Sequence, residues 1–243
     1  MKTYGVIGYP LSHSFSKKYF TEKFRKENLS DCTFEVFEIP SIDDLAGLIQ
    51  SQPGIIGCSV TIPYKEKIIP LLSQADEVVQ KTGACNSIKI KDGKIIGFNT
   101  DIFGFEASLI KKLNTHHNDA LILGRGGAAK AVAFVLEKLR INFTFVERIK
   151  KEDSLCYADL TEDIIAAHPL IINTTPLGMY PNIETCPDIP FTAVSPQHYL
   201  FDLTYNPDKT LFLQKGEHAG AAIQNGYEML ILQAEKSWEL WNR

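Results

Sequence analysis

The run LILGRGGAAKAV (121–132) limits most tightly what this chain can fold into. An apolar strand passes through a glycine-rich turn into a helix start, the order that opens a βαβ unit. The same turn can seat a pyrophosphate on its backbone N–H groups, so the run predicts a dinucleotide site as well as a parallel sheet. A second strand at 142–147 ends at Glu147-Arg148, and the two residues point in opposite directions. An acid at that strand end favours the ribose 2′-hydroxyl of NAD, and an arginine favours the 2′-phosphate of NADP. Arg125, inside the turn, adds positive charge near the phosphates; Lys150 and Lys151 could assist or be merely solvated.

The rest of the pattern is α/β. Strands are expected near 3–8, 32–38, 55–60, 84–90 and 94–98, with helices between them. Asp92-Gly93 separates two alternating runs and predicts a hairpin, an antiparallel element at the edge of a mostly parallel sheet. A helix at 102–113 leads to the polar stretch NTHHND (114–119), which sets the expected boundary between a first domain, 1–113, and a dinucleotide-binding domain, 114–225. The apolar C-terminal helix, within 226–243, is expected to pack back on the first domain. Too few residues lie between Arg148 and Leu170 for a full-length dinucleotide fold. A short strand near 154–157 and one helix near 161–167 fit there, without the crossover helix after the second strand.

The net charge is −4 and no long basic run occurs, which gives no footprint for nucleic acid or anionic lipid. Partners are expected to be small molecules. Five scattered cysteines without CxxC spacing fit reduced thiols in a cytoplasmic protein better than disulfides or a metal site, and none is expected. No apolar run approaches a membrane span. Monomer and homodimer both remain open.

The residues that carry chemistry cluster at strand ends. GCSVTIPYKE (57–66) sets Lys65 four residues after Thr61, across a proline, and GFNTD (97–101) brings Asp101 to the end of another strand. Such a pair suits acid/base work, because substrates of α/β proteins dock at strand ends. Asp101 also stands where a helix N-cap would, and both roles could coexist. GYPLSHSFS (8–16) places Ser12, Ser14 and Ser16 by a helix start, either as caps or as hydroxyls for a substrate carboxylate; His13 reads as structural. Asn86, in GACNSI (83–88), is either a turn residue or an amide for ring hydroxyls.

Together these segments resemble the shikimate dehydrogenase family. GYPLSHSFS, SVTIPYKE (59–66), GACNSI, GFNTDIFG (97–104), LGRGGAAKA (123–131), INTTPLGM (172–179), DLTYNP (202–207) and NGYEMLILQA (225–234) occur in the family order across nearly the whole chain. The resemblance implies an α/β substrate domain, a Rossmann-like domain and a cleft between them, and reduction of 3-dehydroshikimate to shikimate with NADPH in aromatic amino acid synthesis. It implies that Ser14 and Ser16, helped by Tyr205, hold the carboxylate, while Thr61, Asn86 and Gln233 surround the ring with Lys65 and Asp101. Lys65 would be the proton donor and acceptor and Asp101 its partner. Gly124, Gly126, Gly127 and Ala128 would line the pyrophosphate with Arg125 beside them. Leu203 and Gly226 would flank the nicotinamide, and Arg148 would meet the 2′-phosphate. The chain departs from the family where Arg125 replaces an alanine, and where Glu147 and Ile149 flank Arg148 in place of small polar residues. NAD(H) therefore stays open beside NADP(H). A quinate/shikimate dehydrogenase using NAD and a non-catalytic ligand sensor are the alternatives.

Overall fold

Near-continuous apolar segments form two six-stranded sheets in a computed structural model that describes residues 1–11 and 15–243. Two compact units result, Met1–Thr100 with Ala234–Arg243, and Asp101–Gln233.

The first unit runs β1 (Lys2–Gly8), α1 (Phe15–Lys26), β2 (Cys32–Glu38), α2 (Leu45–Ser51), β3 (Ile55–Val60), β4 (Gln74–Ala75), α3 (Glu77–Thr82), β5 (Ser87–Lys91) and β6 (Lys94–Phe98). Its strands lie in the order β2-β1-β3-β5-β6-β4. The first three are mutually parallel, and β5 runs antiparallel to both β3 and β6. Asp92 and Gly93 both take positive φ, 51° and 71°, the pairing a two-residue hairpin turn requires. The expected hairpin is therefore present, but it is not the edge. Two-residue β4 pairs parallel to β6 outside it, and a strand that short leaves no periodic trace in a sequence.

The second unit runs α4 (Asp101–Leu109), β7 (Asp119–Leu123), α5 (Gly127–Lys138), β8 (Asn142–Glu147), β9 (Ser154–Cys156), α6 (Glu162–Ala167), β10 (Leu170–Asn173), β11 (Tyr199–Asp202), α7 (Leu211–His218) and β12 (Ala222–Asn225). The order β12-β11-β10-β7-β8-β9 is parallel throughout. Every residue of β10 and β11 is buried, as strands covered on both faces must be. Strand order reverses direction between β7 and β10, so the glycine turn after β7 stands at a topological switch point. No helix occupies Arg148–Asp153. Parallel pairing of β8 with β9 survives this short return because β9 meets only the last three residues of β8.

The units divide at Thr100/Asp101, whereas the polar stretch 114–119 suggested a boundary after residue 113. Helix α4 follows β6 with no linker and packs on α5, and it carries its apolar face into the second unit. Helix α8 (Tyr227–Asn242) begins in the second unit and ends in the first. Its last turns set Trp238 and Trp241 against Tyr4 at ring distances of 4.9 and 5.5 Å, and Trp241 Nε1 donates to Ser87 Oγ at 3.0 Å. Trp241 is the largest fully buried side chain of the protein. Filling that space stabilises the first unit by about 3–5 kcal/mol relative to alanine.

Candidate functional site

In the first unit, β1 and β3 end side by side and carry Thr61 and Lys65 on the turns that follow. Thr61 N–H donates to Ile7 O at 2.9 Å and Tyr64 N–H to Thr61 O at 2.8 Å, which fixes the turn on β1. Tyr64 and Ile68 are buried in the core on either side of Lys65, which is itself half-buried. The Lys65 carbonyl accepts from Cys85 N–H at 2.7 Å, tying the lysine's backbone to the residue before Asn86.

Asn86 is buried and organises the next connection. Its Oδ1 accepts from Thr100 N–H at 2.6 Å, its Nδ2 donates to Thr100 Oγ1 at 3.0 Å, and Thr100 Oγ1 reaches Ser237 Oγ at 3.0 Å. The Asn86 backbone meanwhile bridges Val60 N–H and Phe98 O. This amide–hydroxyl frame holds the residue directly before Asp101. Asp101 is buried and is the first residue of α4, one position inside the cap the sequence suggested. Ser16 lies half-buried in the first turn of α1; Ser12, His13 and Ser14 fall outside the described residues.

In the second unit, Gly124 takes φ +101°, a conformation that favours glycine, and a Cβ there would stand 2.8 Å from Thr174 Oγ1. Thr174 is held in turn, its Oγ1 donating to Leu123 O at 2.7 Å. Gly126 caps α5 in extended backbone, and a Cβ on Gly126 or Gly127 would meet no atom within 4 Å. The turn and the first N–H groups of a twelve-residue helix, from Gly127 and Ala128 onward, thus face open space. This cradle fits a pyrophosphate.

Arg125 leaves the turn sideways. Its Nη1 donates to Glu147 Oε1 at 3.1 Å and to Asp153 Oδ1 at 2.8 Å, Nη2 pairs with Asp153 Oδ2, and the guanidinium lies 4.7 Å over the Phe145 ring. Two carboxylates hold its pKa above the usual arginine value, and hydrogen bonding to Arg125 draws Asp153 down to about 2. Lys151 Nζ donates to Glu147 Oε2 at 2.8 Å, and this contact and Arg125 hold Glu147 below the ordinary carboxylate range. Arg148, exposed, stands apart from this cluster.

Leu203 and Gly226 are brought together: a Cβ on Gly226 would lie 2.0 Å from Leu203 O, so only glycine admits the approach. Below them, Asp202 is completely buried. Its carboxylate accepts from Thr210 Oγ1 at 2.6 Å, Thr204 N–H at 2.9 Å and Asn173 Nδ2 at 3.0 Å. Burial pushes the group up to about 6 against the pull of those donors. Asn173 Oδ1 accepts from Thr175 N–H and Oγ1 and so links the loops after β10 and β11. The sequence reading assigned Asp202 and Asn173 no role. The available signal was a single polar residue ending each of two otherwise apolar strands, LIIN and YLFD. Tyr205, beyond Asp202, is exposed, with its phenol raised by partial burial. Gln233 is buried on α8 and donates to Leu230 O at 3.0 Å.

Comparison with known proteins accords with this geometry. Residues 6–88 match the model of the shikimate dehydrogenase substrate binding domain. A shikimate dehydrogenase (NADP(+)) of Staphylococcus aureus is 37% identical across 98% of this chain and 91% of its own length. The chain belongs to the shikimate dehydrogenase family. A shikimate dehydrogenase crystallised with NADP+ superposes with a TM-score of 0.87 at 32% identity, covering 99% of this chain and 90% of the other. The Thermus thermophilus enzyme in complex with NADP(H) and shikimate gives 0.87 at 26% identity, covering 99% and 93%. Among the described residues no helix is long and apolar enough to cross a membrane, and no group of side chains could hold a metal ion.

Proposed function

We propose that this protein is an NADP-dependent shikimate dehydrogenase that interconverts 3-dehydroshikimate and shikimate. The observation that carries the reading is full-length likeness to enzymes of that name, at a third or more of positions. Bound NADPH would supply the hydride that the ketone carbon receives. Lys65 is the proton donor to the carbonyl oxygen in reduction and the acceptor in oxidation, and its half-buried position limits competing solvation of the ammonium. Asp101 orients the lysine and a ring hydroxyl. The Asn86–Thr100 frame fixes where Asp101 starts its helix, so that the carboxylate is in place before substrate arrives. Thr61, Asn86 and Gln233 supply further polar contacts to the ring, and Ser14 and Ser16 with Tyr205 take the carboxylate. Gly124, Gly126, Gly127 and Ala128 hold the pyrophosphate, Leu203 and Gly226 back the nicotinamide, and Arg148 meets the 2′-phosphate. Five free cysteines, two of them buried in the core, suit the reducing cytoplasm where we place the protein.

Purified protein with shikimate and either NADP+ or NAD+, followed by nicotinamide absorbance, tests the reading. Turnover with NADP+ preferred is the expected result. Preference for NAD+ would keep the reaction and reverse the cofactor, and absence of turnover in folded protein would sink the assignment.

A further inference from the structure

The loop Arg148–Asp153, which stands where a crossover helix would, changes how Glu147 can be used. A free acid at the end of the second strand accepts hydrogen bonds from ribose hydroxyls and repels a 2′-phosphate. Here both oxygens of Glu147 are already engaged, Oε1 by Arg125 at 3.1 Å and Oε2 by Lys151 at 2.8 Å, and its side chain is only 14% exposed. The loop is pinned in that position. Lys151 N–H donates to Ser154 Oγ and Ser154 N–H to Lys151 O, while Asp153 grips Arg125 through both of its oxygens. Arg125 has its fork filled by two carboxylates and its face on Phe145, which leaves little of it to offer a ligand. Arg148, exposed, makes no ion pair among the described residues.

We propose that Arg125 is a specificity-determining residue that acts through Glu147: with Lys151 it withdraws the carboxylate from ribose recognition, so that Arg148 alone reads the 2′ position and the 2′-phosphorylated cofactor is preferred. This rests on the dinucleotide-binding reading of the second unit and assigns it a selectivity device. Arg125 and the short loop belong together in this account.

Calorimetric titration of the full chain with adenosine 2′,5′-bisphosphate and with 5′-AMP tests the proposal without turnover. Wild type should favour the bisphosphate. Arg125→Ala should cut that preference by at least about tenfold, as coupling between close charges predicts. In an Glu147→Gln background the same arginine substitution should change the preference by less than about threefold, because the acid it restrains is gone. An equal loss in both backgrounds would overturn the proposal and make Arg125 a direct phosphate ligand. Unchanged preference in the single Arg125→Ala variant would overturn it as well. Failure of both ligands to bind folded wild-type protein would instead remove the dinucleotide reading, and the proposal with it. Melting temperatures of all variants establish that they are folded.

Discussion

The strand ends of the two sheets are braced by opposite means. In the first unit, the turns around Lys65 and Asn86 are held by backbone, amide and hydroxyl groups, with Asn86, Thr100 and Ser237 all neutral. In the second, the corresponding ends are held by charge: a buried carboxylate at Asp202 gathers three donors, and Arg125, Glu147, Asp153 and Lys151 form an ionic network. The difference teaches where each unit tolerates changes of pH and salt. A neutral frame keeps its hydrogen bonds across the whole pH range, which would suit the proton transfer proposed for Lys65. An ionic frame exchanges that indifference for selectivity toward charged ligands.

The largest expected effect breaks the first frame's chemistry and leaves its architecture alone. Lys65→Ala should lower kcat by about 10²–10⁴-fold with a smaller change in KM, while the melting temperature stays within a few degrees of wild type. An intact kcat would take Lys65 out of proton transfer. Next, Asn86→Asp puts a charge into the neutral frame and deletes the donor to Thr100. Unfolding by urea should show a loss of about 3 kcal/mol at pH 8 that shrinks toward pH 4 as the new carboxyl protonates. A pH-independent loss would mean that the site is wetter than its 4% exposure suggests.

Asp202 gives the reverse experiment. Its folded pKa, near 6, lies above that of an unfolded aspartate, so the native state holds the proton more tightly between about pH 4 and pH 6. Stability from this group is therefore greatest in acid and falls as pH rises through that window, by an amount on the order of 3 kcal/mol. Asp202→Asn should flatten that slope in urea-unfolding free energies measured from pH 4 to 8. A slope identical to wild type would show that the proton is taken up elsewhere. The smallest effect belongs to Asp153, exposed and drawn down to about 2 by Arg125. Its contribution is present above about pH 4 and disappears as pH falls toward 2. Asp153→Asn should lower stability slightly at neutral pH, because the pair is exposed, and the difference from wild type should vanish in urea-unfolding free energies as pH falls toward 2; a difference that persists at pH 2 would mean that the substitution acts through something other than the ion pair.

Much of this was legible because parallel strands buried on both faces read as apolar runs: β3, β7, β10 and β11 stand out in LIIN-like segments, and Asp92-Gly93 announces its hairpin. The positions of Lys65, Asp101 and Gly124 after strands, and of Asn86 directly before one, were legible too. The division after Thr100 was hidden because no linker marks it; Asp101 opens a helix in the very residue after the frame that holds Thr100. The role of Asp202 was hidden for a different reason. Its partners Asn173, Thr204 and Thr210 are assembled by sheet register and by the loop before α7, and nothing local to YLFD names them. Likewise Glu147 and Arg148 read as a contradiction in sequence, and only the placement of Arg125 and Lys151 distinguishes the engaged side chain from the exposed one.

Helix α8 gives the chain an order of assembly. Tyr4 and Trp241 stack within one core although nearly the whole polypeptide separates them, and Ala234–Arg243 belongs to the same unit as β1. During synthesis, residues 101–233 leave the ribosome before that tryptophan does, so the second unit has all its strands while the first still lacks part of its interior. The nascent first unit must wait with an open aromatic cleft around Tyr4, Phe20 and Phe24. Its completion coincides with the arrival of the last helix, and a chain stalled before Trp238 would present that cleft to chaperones.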